Sequence, residues 1–157
     1  MRKVLWKIMT CISIVLLSFC IYSCSNDDDE DSVGSREMLL GVWSGVYYLS
    51  QGWDNGELTV NEKEDFVNGT ERFSIELKED GTYIEKDLYP SGSIKSTSYG
   101  TWSYTGKELI LKYEEYEEFE KWTVTKMTET ELIYERRGKV KEDGSIWEYL
   151  EEFSFVR

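Results

Sequence analysis

Phe73-Ser74-Ile75-Glu76-Leu77-Lys78-Glu79-Asp80-Gly81-Thr82-Tyr83 decides the fold. Phe73, Ile75 and Leu77 fall on one side of an extended chain, with Ser74 and Glu76 on the other. This period of two belongs to a strand with one buried face. Glu79-Asp80-Gly81 then breaks the pattern with a glycine suited to the positive φ of a tight hairpin. Glu142-Asp143-Gly144 repeats the word near the C-terminus, and Thr105-Gly106-Lys107 is a third turn of the kind. Working outward from these turns, the sequence predicts eight strands: Val42–Ser50, Arg72–Lys78, Thr82–Leu88, Ser98–Tyr104, Glu108–Tyr113, Phe119–Met127, Glu131–Arg137 and Ser145–Val156. A single helical turn over Arg36–Leu40 is the one departure from strand.

The same alternation puts Trp102 with Tyr104, Leu109 with Leu111, Trp122 with Val124, and Leu132 with Tyr134 on buried faces. Thr123 and Thr125 lie opposite. Sheets with one wet face are antiparallel, and short hairpin links pair each strand with its neighbour in sequence. A long open edge invites aggregation, which closure into a barrel removes. The expected fold is all-β: an eight-stranded antiparallel up-and-down barrel over residues 36–157.

Composition narrows function by exclusion. The 157 residues carry 18 bases and 31 acids, a net charge of −13, with no histidine and three cysteines. Electrostatic binding to nucleic acid is disfavoured. Histidine triads, imidazole bases and the common zinc and haem sites have no ligands to use. There is no glycine-rich phosphate loop and no nucleophile elbow. No catalytic residues, metal or cofactor are assigned, and the chain is read as a non-enzyme.

Residues 1–23 read as a leader. Arg2, Lys3 and Lys7 precede the apolar run Cys11–Ile21, too short for the roughly 20 residues of a spanning helix. Ile21-Tyr22-Ser23-Cys24 resembles a bacterial lipobox, which implies cleavage before Cys24 and acylation of its thiol, including by palmitate. Two or more acyl chains give stable anchoring. Cleavage would remove the other two cysteines and three of the bases, leaving no disulfide and a body still more acidic. Residues 24–35 are the lipidated cysteine and a tether. Its run Asp27-Asp28-Asp29-Glu30-Asp31 cannot bury apolar area. Such runs resemble the export signal that sends some lipoproteins to the cell-surface face of the outer membrane. A plain solvated spacer, leaving the domain facing the periplasm, is the other reading.

Gly41-Val42-Trp43 at the start of the first strand resembles the Gly-x-Trp signature of lipocalins. Leu77-Lys78-Glu79-Asp80-Gly81-Thr82-Tyr83, Gly100-Thr101-Trp102 and Leu109-Ile110-Leu111 are similar to words of the lipocalin-like domains on small bacterial lipoproteins. The resemblance covers residues 37–157. It implies that Gly41 and Trp43 are structural, with Trp43 plugging the closed end. It also implies that a late arginine, Arg136 or Arg157, packs across Trp43. The long link from Gln51 to Glu71 would lie over the open mouth with Trp53 as a lid.

A barrel of eight strands either fills with its own side chains or holds one small ligand. In the second case Trp102, Tyr104, Trp122, Tyr134, Trp147 and Tyr149 form the wall and Trp53 the lid, around a small apolar or aromatic molecule. In the first, the domain is an interaction module that presents loops to an envelope protein or a glycan. Trp147, Tyr149, Glu151, Phe153 and Phe155 share a face at period two, which leaves a carboxylate in an apolar row. If the register holds, Arg136 is its natural partner, and the pair a polar hook for a ligand. A β-bulge that turns Glu151 out to water is the blander and favoured expectation. Glu114, Glu115, Glu117, Glu118 and Glu120 match no calcium loop and read as a charged hairpin tip. The domain is expected to be monomeric.

Overall fold

The structure is a computed structural model that describes residues 33–157 except Asp143. The expected leader, Cys24 and most of the tether lie outside the described residues. A one-turn helix α1 (Arg36–Leu39) leads into nine strands: β1 (Gly41–Asp54), β2 (Glu57–Asp65), β3 (Arg72–Leu77), β4 (Thr82–Leu88), β5 (Ile94–Tyr104), β6 (Glu108–Tyr113), β7 (Glu120–Met127), β8 (Glu131–Glu142) and β9 (Ser145–Val156). Every pairing is antiparallel, in the order β2-β1-β3-β4-β5-β6-β7-β8-β9. A further pairing of β1 with β9 closes the ring. Eight strands make the barrel, as the alternation predicts, and β2 is an addition on its flank.

That addition corrects the reading of residues 51–71 as a long lid. β1 runs on to Asp54 and turns through Asn55 (φ 49°) and Gly56 (φ 86°) into β2. Two consecutive positive φ values are those of a type I′ hairpin, which Asn-Gly favours. β2 was hidden because Glu57, Glu62, Glu64 and Asp65 give it no apolar alternation. Trp53 therefore sits in a strand, paired with Glu148 of β9 and Leu58 of β2.

The first half of β1 pairs with β3 (Gly41↔Leu77 to Ser44↔Ser74), the second half with β2 (Tyr47↔Asp65 to Asp54↔Glu57). The switch occurs at Gly45. A Cβ there would lie 2.8 Å from the Phe66 ring, so only glycine admits the residue that fills the gap below β2. β7 pairs with β8 only as far as Glu135, whereas β8 stays paired with β9 to Glu142. The ends of β2, β1, β9 and β8 thus continue past the last pairings of β7 as a four-stranded sheet.

The barrel interior is packed with rings. Trp43, Tyr83, Trp102, Trp122, Tyr134 and Phe155 are each buried, among Leu39, Ile75, Leu77, Leu109, Leu111 and Leu132. Tyr134 lies 5.2 Å from Trp122, 5.3 Å from Phe155 and 5.6 Å from Phe153 between centroids. Such tilted and edge contacts at 4.5–7 Å are the preferred geometry for aromatic pairs. Glycine makes room for one of them: a Cβ at Gly100 would fall 2.4 Å from the Tyr83 ring and 2.3 Å from the Lys112 carbonyl oxygen.

Candidate functional site

The two ends of the barrel differ in chemistry. At one end, Trp43 donates its indole N–H to the Leu39 carbonyl at 2.8 Å, so α1 caps the barrel from below. The Arg157 guanidinium lies over the Trp43 ring, 3.9 Å from its centroid. It also donates to the carbonyls of Met38, Leu40 (2.9 Å) and Glu129 (2.7 Å). Beside it, Trp102 donates to the Lys78 carbonyl at 3.0 Å, and Arg36 stacks on its ring at 4.5 Å. Tyr104 donates to the Val33 carbonyl at 2.8 Å. This end is sealed.

At the other end, a layer of ionisable groups lies on the innermost tier of rings. Arg136 on β8 is bonded through Nε to Glu151 on β9. Its Nη1 donates to Glu120 on β7 at 3.3 Å, and its guanidinium stacks on Trp122 at 4.5 Å. Tyr48 on β1 donates to Glu151 at 2.7 Å, and Trp122 to Glu120 at 3.2 Å. Burial alone would push the Glu151 carboxyl up, but the bonds from Arg136 and Tyr48 outweigh it and hold it below its usual range. The Tyr48 phenol moves the other way, to about 12, through burial and the Glu151 carboxylate it bonds.

Glu85 on β4 belongs to the same layer, and among the described residues no base is paired with it. It is 9% exposed, faces inward opposite Ile75, and accepts a bond from Tyr113 Oη at 2.9 Å. Burial pushes its carboxyl up to about 7; the Tyr113 bond opposes this, and Glu120 and Asp87 add to it. Tyr83 lies edge-on to Tyr113 at 5.7 Å, and its buried hydroxyl has no hydrogen-bond partner among the described residues. Outside this layer a cavity of about 490 Å³ opens, lined by Tyr113, Tyr116, Phe119, Arg136 and Glu117, Glu118 and Glu120.

The sequence pattern of the lipocalin-like domain matches residues 39–134, well over half of the chain. The chain belongs to the lipocalin-like domain family. No curated protein matches it. The family is a binding fold, generally without catalysis of its own, and the closed barrel fits ligand binding in that general sense. The match ends at Tyr134, so β9 and Arg157 close this lipocalin-like domain from outside the matched region.

Of the two arginines considered for Trp43, Arg157 takes the position; Arg136 instead stacks on Trp122 at the mouth. The aromatic residues named from sequence do not gather round one cavity. Trp102 and Tyr104 belong to the sealed end, and Trp122 and Tyr134 lie in the packed centre. Trp147 and Tyr149 stand on the inner face of the extended sheet. A Cβ on Gly52 would meet the Trp147 ring at 2.8 Å, and one on Gly138 the Tyr149 ring at 2.2 Å. Trp53 faces outward with Leu150, Arg137 and Lys139, in an external groove of about 640 Å³.

The expected bulge at Glu151 is absent. Pairing runs unbroken through Arg136↔Glu151 and Ser50↔Glu151, so the carboxylate stays inward and meets Arg136. The register shift in the β1–β9 ladder lies at Gly45/Tyr47, opposite Phe155 and Ser154, so no extra residue falls beside Glu151. Sequence reasoning missed Glu85 and Tyr113, and it read Glu120 as part of a charged hairpin tip, whereas Glu120 starts β7 and bonds Arg136 and Trp122. The signal for the first was Tyr83-x-Glu85, a carboxylate two residues from a buried ring, in a strand whose inner face had not been assigned. Glu114, Glu115, Glu117 and Glu118 are exposed at the β6–β7 tip. Among the described residues no three acids or cysteines converge closely enough to hold a metal ion.

Proposed function

We propose that this lipocalin-like domain is carried on an outer-membrane lipoprotein, anchored through acylated Cys24 and facing the cell surface, and that it binds a small aromatic or apolar molecule at the barrel mouth. The anchoring rests on Ile21-Tyr22-Ser23-Cys24 and the acidic run behind it. The placement of the ligand rests on one observation. The Trp122–Tyr134–Phe155 cluster fills the centre, while the cavity over Arg136 stays open and aromatic-lined. A ligand stacked on Tyr113, Tyr116 or Phe119 would bury apolar area at about 25 cal/mol per Å² without displacing the core.

The anchoring reading predicts that labelled palmitate enters the protein in the producing bacterium and that Cys24→Ser abolishes the label. For binding, tryptophan fluorescence of the full chain is followed against a panel of aromatic, fatty-acid and short-glycan probes. Trp122, touching Arg136, reports on the mouth. A saturable change lost in Trp122→Phe, with the fold intact, supports the reading; a flat response across the panel contradicts it.

The outer groove supports a second reading, the interaction module. Trp53 and Leu58, the latter 47% exposed, lie on the outer side of the extended sheet next to Arg137 and Lys139. An envelope protein or glycan engaging this face would be lost with Trp53→Ala.

A further inference from the structure

We propose that the mouth cavity selects a small organic cation, an alkyl- or aryl-substituted ammonium; this rests on the placement of the ligand at the mouth. Charge decides the class. Arg136 is the one base lining the cavity, and Glu120 and Glu151 already neutralise it. An entering carboxylate would face Glu117, Glu118 and Glu120, with the exposed Lys121 ammonium at the rim to offset one of them. A neutral ligand would gain nothing from Glu117 and Glu118, whereas an ammonium would be attracted by both, with Glu120 already shared with Arg136.

The walls suit the same guest. Tyr113 and Tyr116 meet edge to face at 6.1 Å, and Phe119 and Tyr116 are 58% and 63% exposed. Aromatic faces attract cations, most strongly where water is excluded. One face in the cavity already does so: Lys121 Nζ lies 5.6 Å from the Phe119 centroid. Lys121 is exposed, so its ammonium can swing into water and leave the Phe119 face to a ligand. Below the cavity, the Tyr83 ring lies edge-on to Tyr113, whose hydroxyl donates to Glu85. A hard metal ion is the wrong guest. It needs six to eight oxygens drawn together, and here the carboxylates are separated by rings and do not converge.

The test is calorimetric titration of the full chain in non-ionic detergent with three probes of one size: benzyltrimethylammonium, its uncharged carbon analogue neopentylbenzene, and phenylacetate. The expected order is the cation at least tenfold tighter than the neutral probe, with no measurable phenylacetate binding. Glu120→Gln is expected to weaken the cation at least fivefold, as is Tyr116→Ala combined with Phe119→Ala. Those two exposed aromatics can be removed without touching the core, so they test the site even if Glu120→Gln unfolds. Neutral or anionic probes binding at the mouth as tightly as the cation would overturn the cation class and leave the mouth reading standing. Cation binding indifferent to the aromatic variants would overturn the site. No binding by any probe would overturn both.

Discussion

Arg157 and Trp43, at opposite ends of the described barrel sequence, are stacked with the guanidinium 3.9 Å from the indole centroid. The contact joins the last residue to the first strand, and the three carbonyls that Arg157 also bonds belong to the α1 segment and the β7–β8 turn. Arg157→Ala removes the stacking and charge-assisted bonds together. The expected loss is about 1–2 kcal/mol in urea unfolding, kept modest by the exposure of Arg157. Arg157→Lys keeps the charge but not the planar fork, and is expected to recover less than half of it.

Glu85 predicts an unusual pH dependence. Its folded carboxyl titrates near 7, against 4.5 for the unfolded chain. Between these values the folded state holds a proton that the unfolded state has lost, so stability falls as pH rises from about 4.5 to 7 and levels off above. The groups facing it are Tyr113 from β6, Glu120 from β7, and Tyr83 and Asp87 from β4. Glu85→Gln keeps the shape without the charge. It is expected to flatten this part of the melting-temperature profile and to gain on the order of 1–3 kcal/mol at pH 8. An unchanged slope would remove Glu85 as its source.

Gly100 is a packing prediction. Alanine there places Cβ 2.3 Å from the Lys112 carbonyl oxygen, which is backbone and cannot swing aside, and 2.4 Å from Tyr83. Gly100→Ala is expected to cost about 1–3 kcal/mol, the usual range for overpacking. The same substitution at Gly56, which meets nothing within 4 Å, is strained only by its φ of 86°. It is expected to cost about 1 kcal/mol.

The Arg136–Glu151 pair is partly buried and shares Tyr48 and Glu120. Removing one partner alone leaves a half-buried charge. Arg136→Met and Glu151→Gln are therefore each expected to cost more than half of the double variant's loss. The coupling in a double-mutant cycle should be about 1–2 kcal/mol. Additive losses would mean that the pair is held in place without contributing.

Much of this was legible in the sequence because strands with one wet face write their geometry as a period of two. Phe73-Ser74-Ile75-Glu76-Leu77 and Trp122-Thr123-Val124 locate the core directly, and Gly41-Val42-Trp43 locates the sealed end. β2 was not legible, since it pairs on one side only and carries charge on both faces; Asn55-Gly56 was its one signal. The aromatic wall misled for a different reason. Alternation shows which side chains point inward but not whether space is left between them. Trp122, Tyr134 and Phe155 touch one another. The mouth is built from Glu85, Tyr113, Glu120, Arg136 and Glu151 on five strands. No local pattern records a constellation assembled by closure.

The barrel centre is filled, and the open mouth is the proposed binding site. Amide chemical shifts of the labelled chain, recorded while benzyltrimethylammonium is added, test it most directly. Saturable changes are expected, confined to residues 113–120 and to Arg136, with Tyr134 and Phe155 unmoved. Changes centred on Tyr134 and Phe155, or on Trp53 and Leu150 of the outer groove, would contradict it.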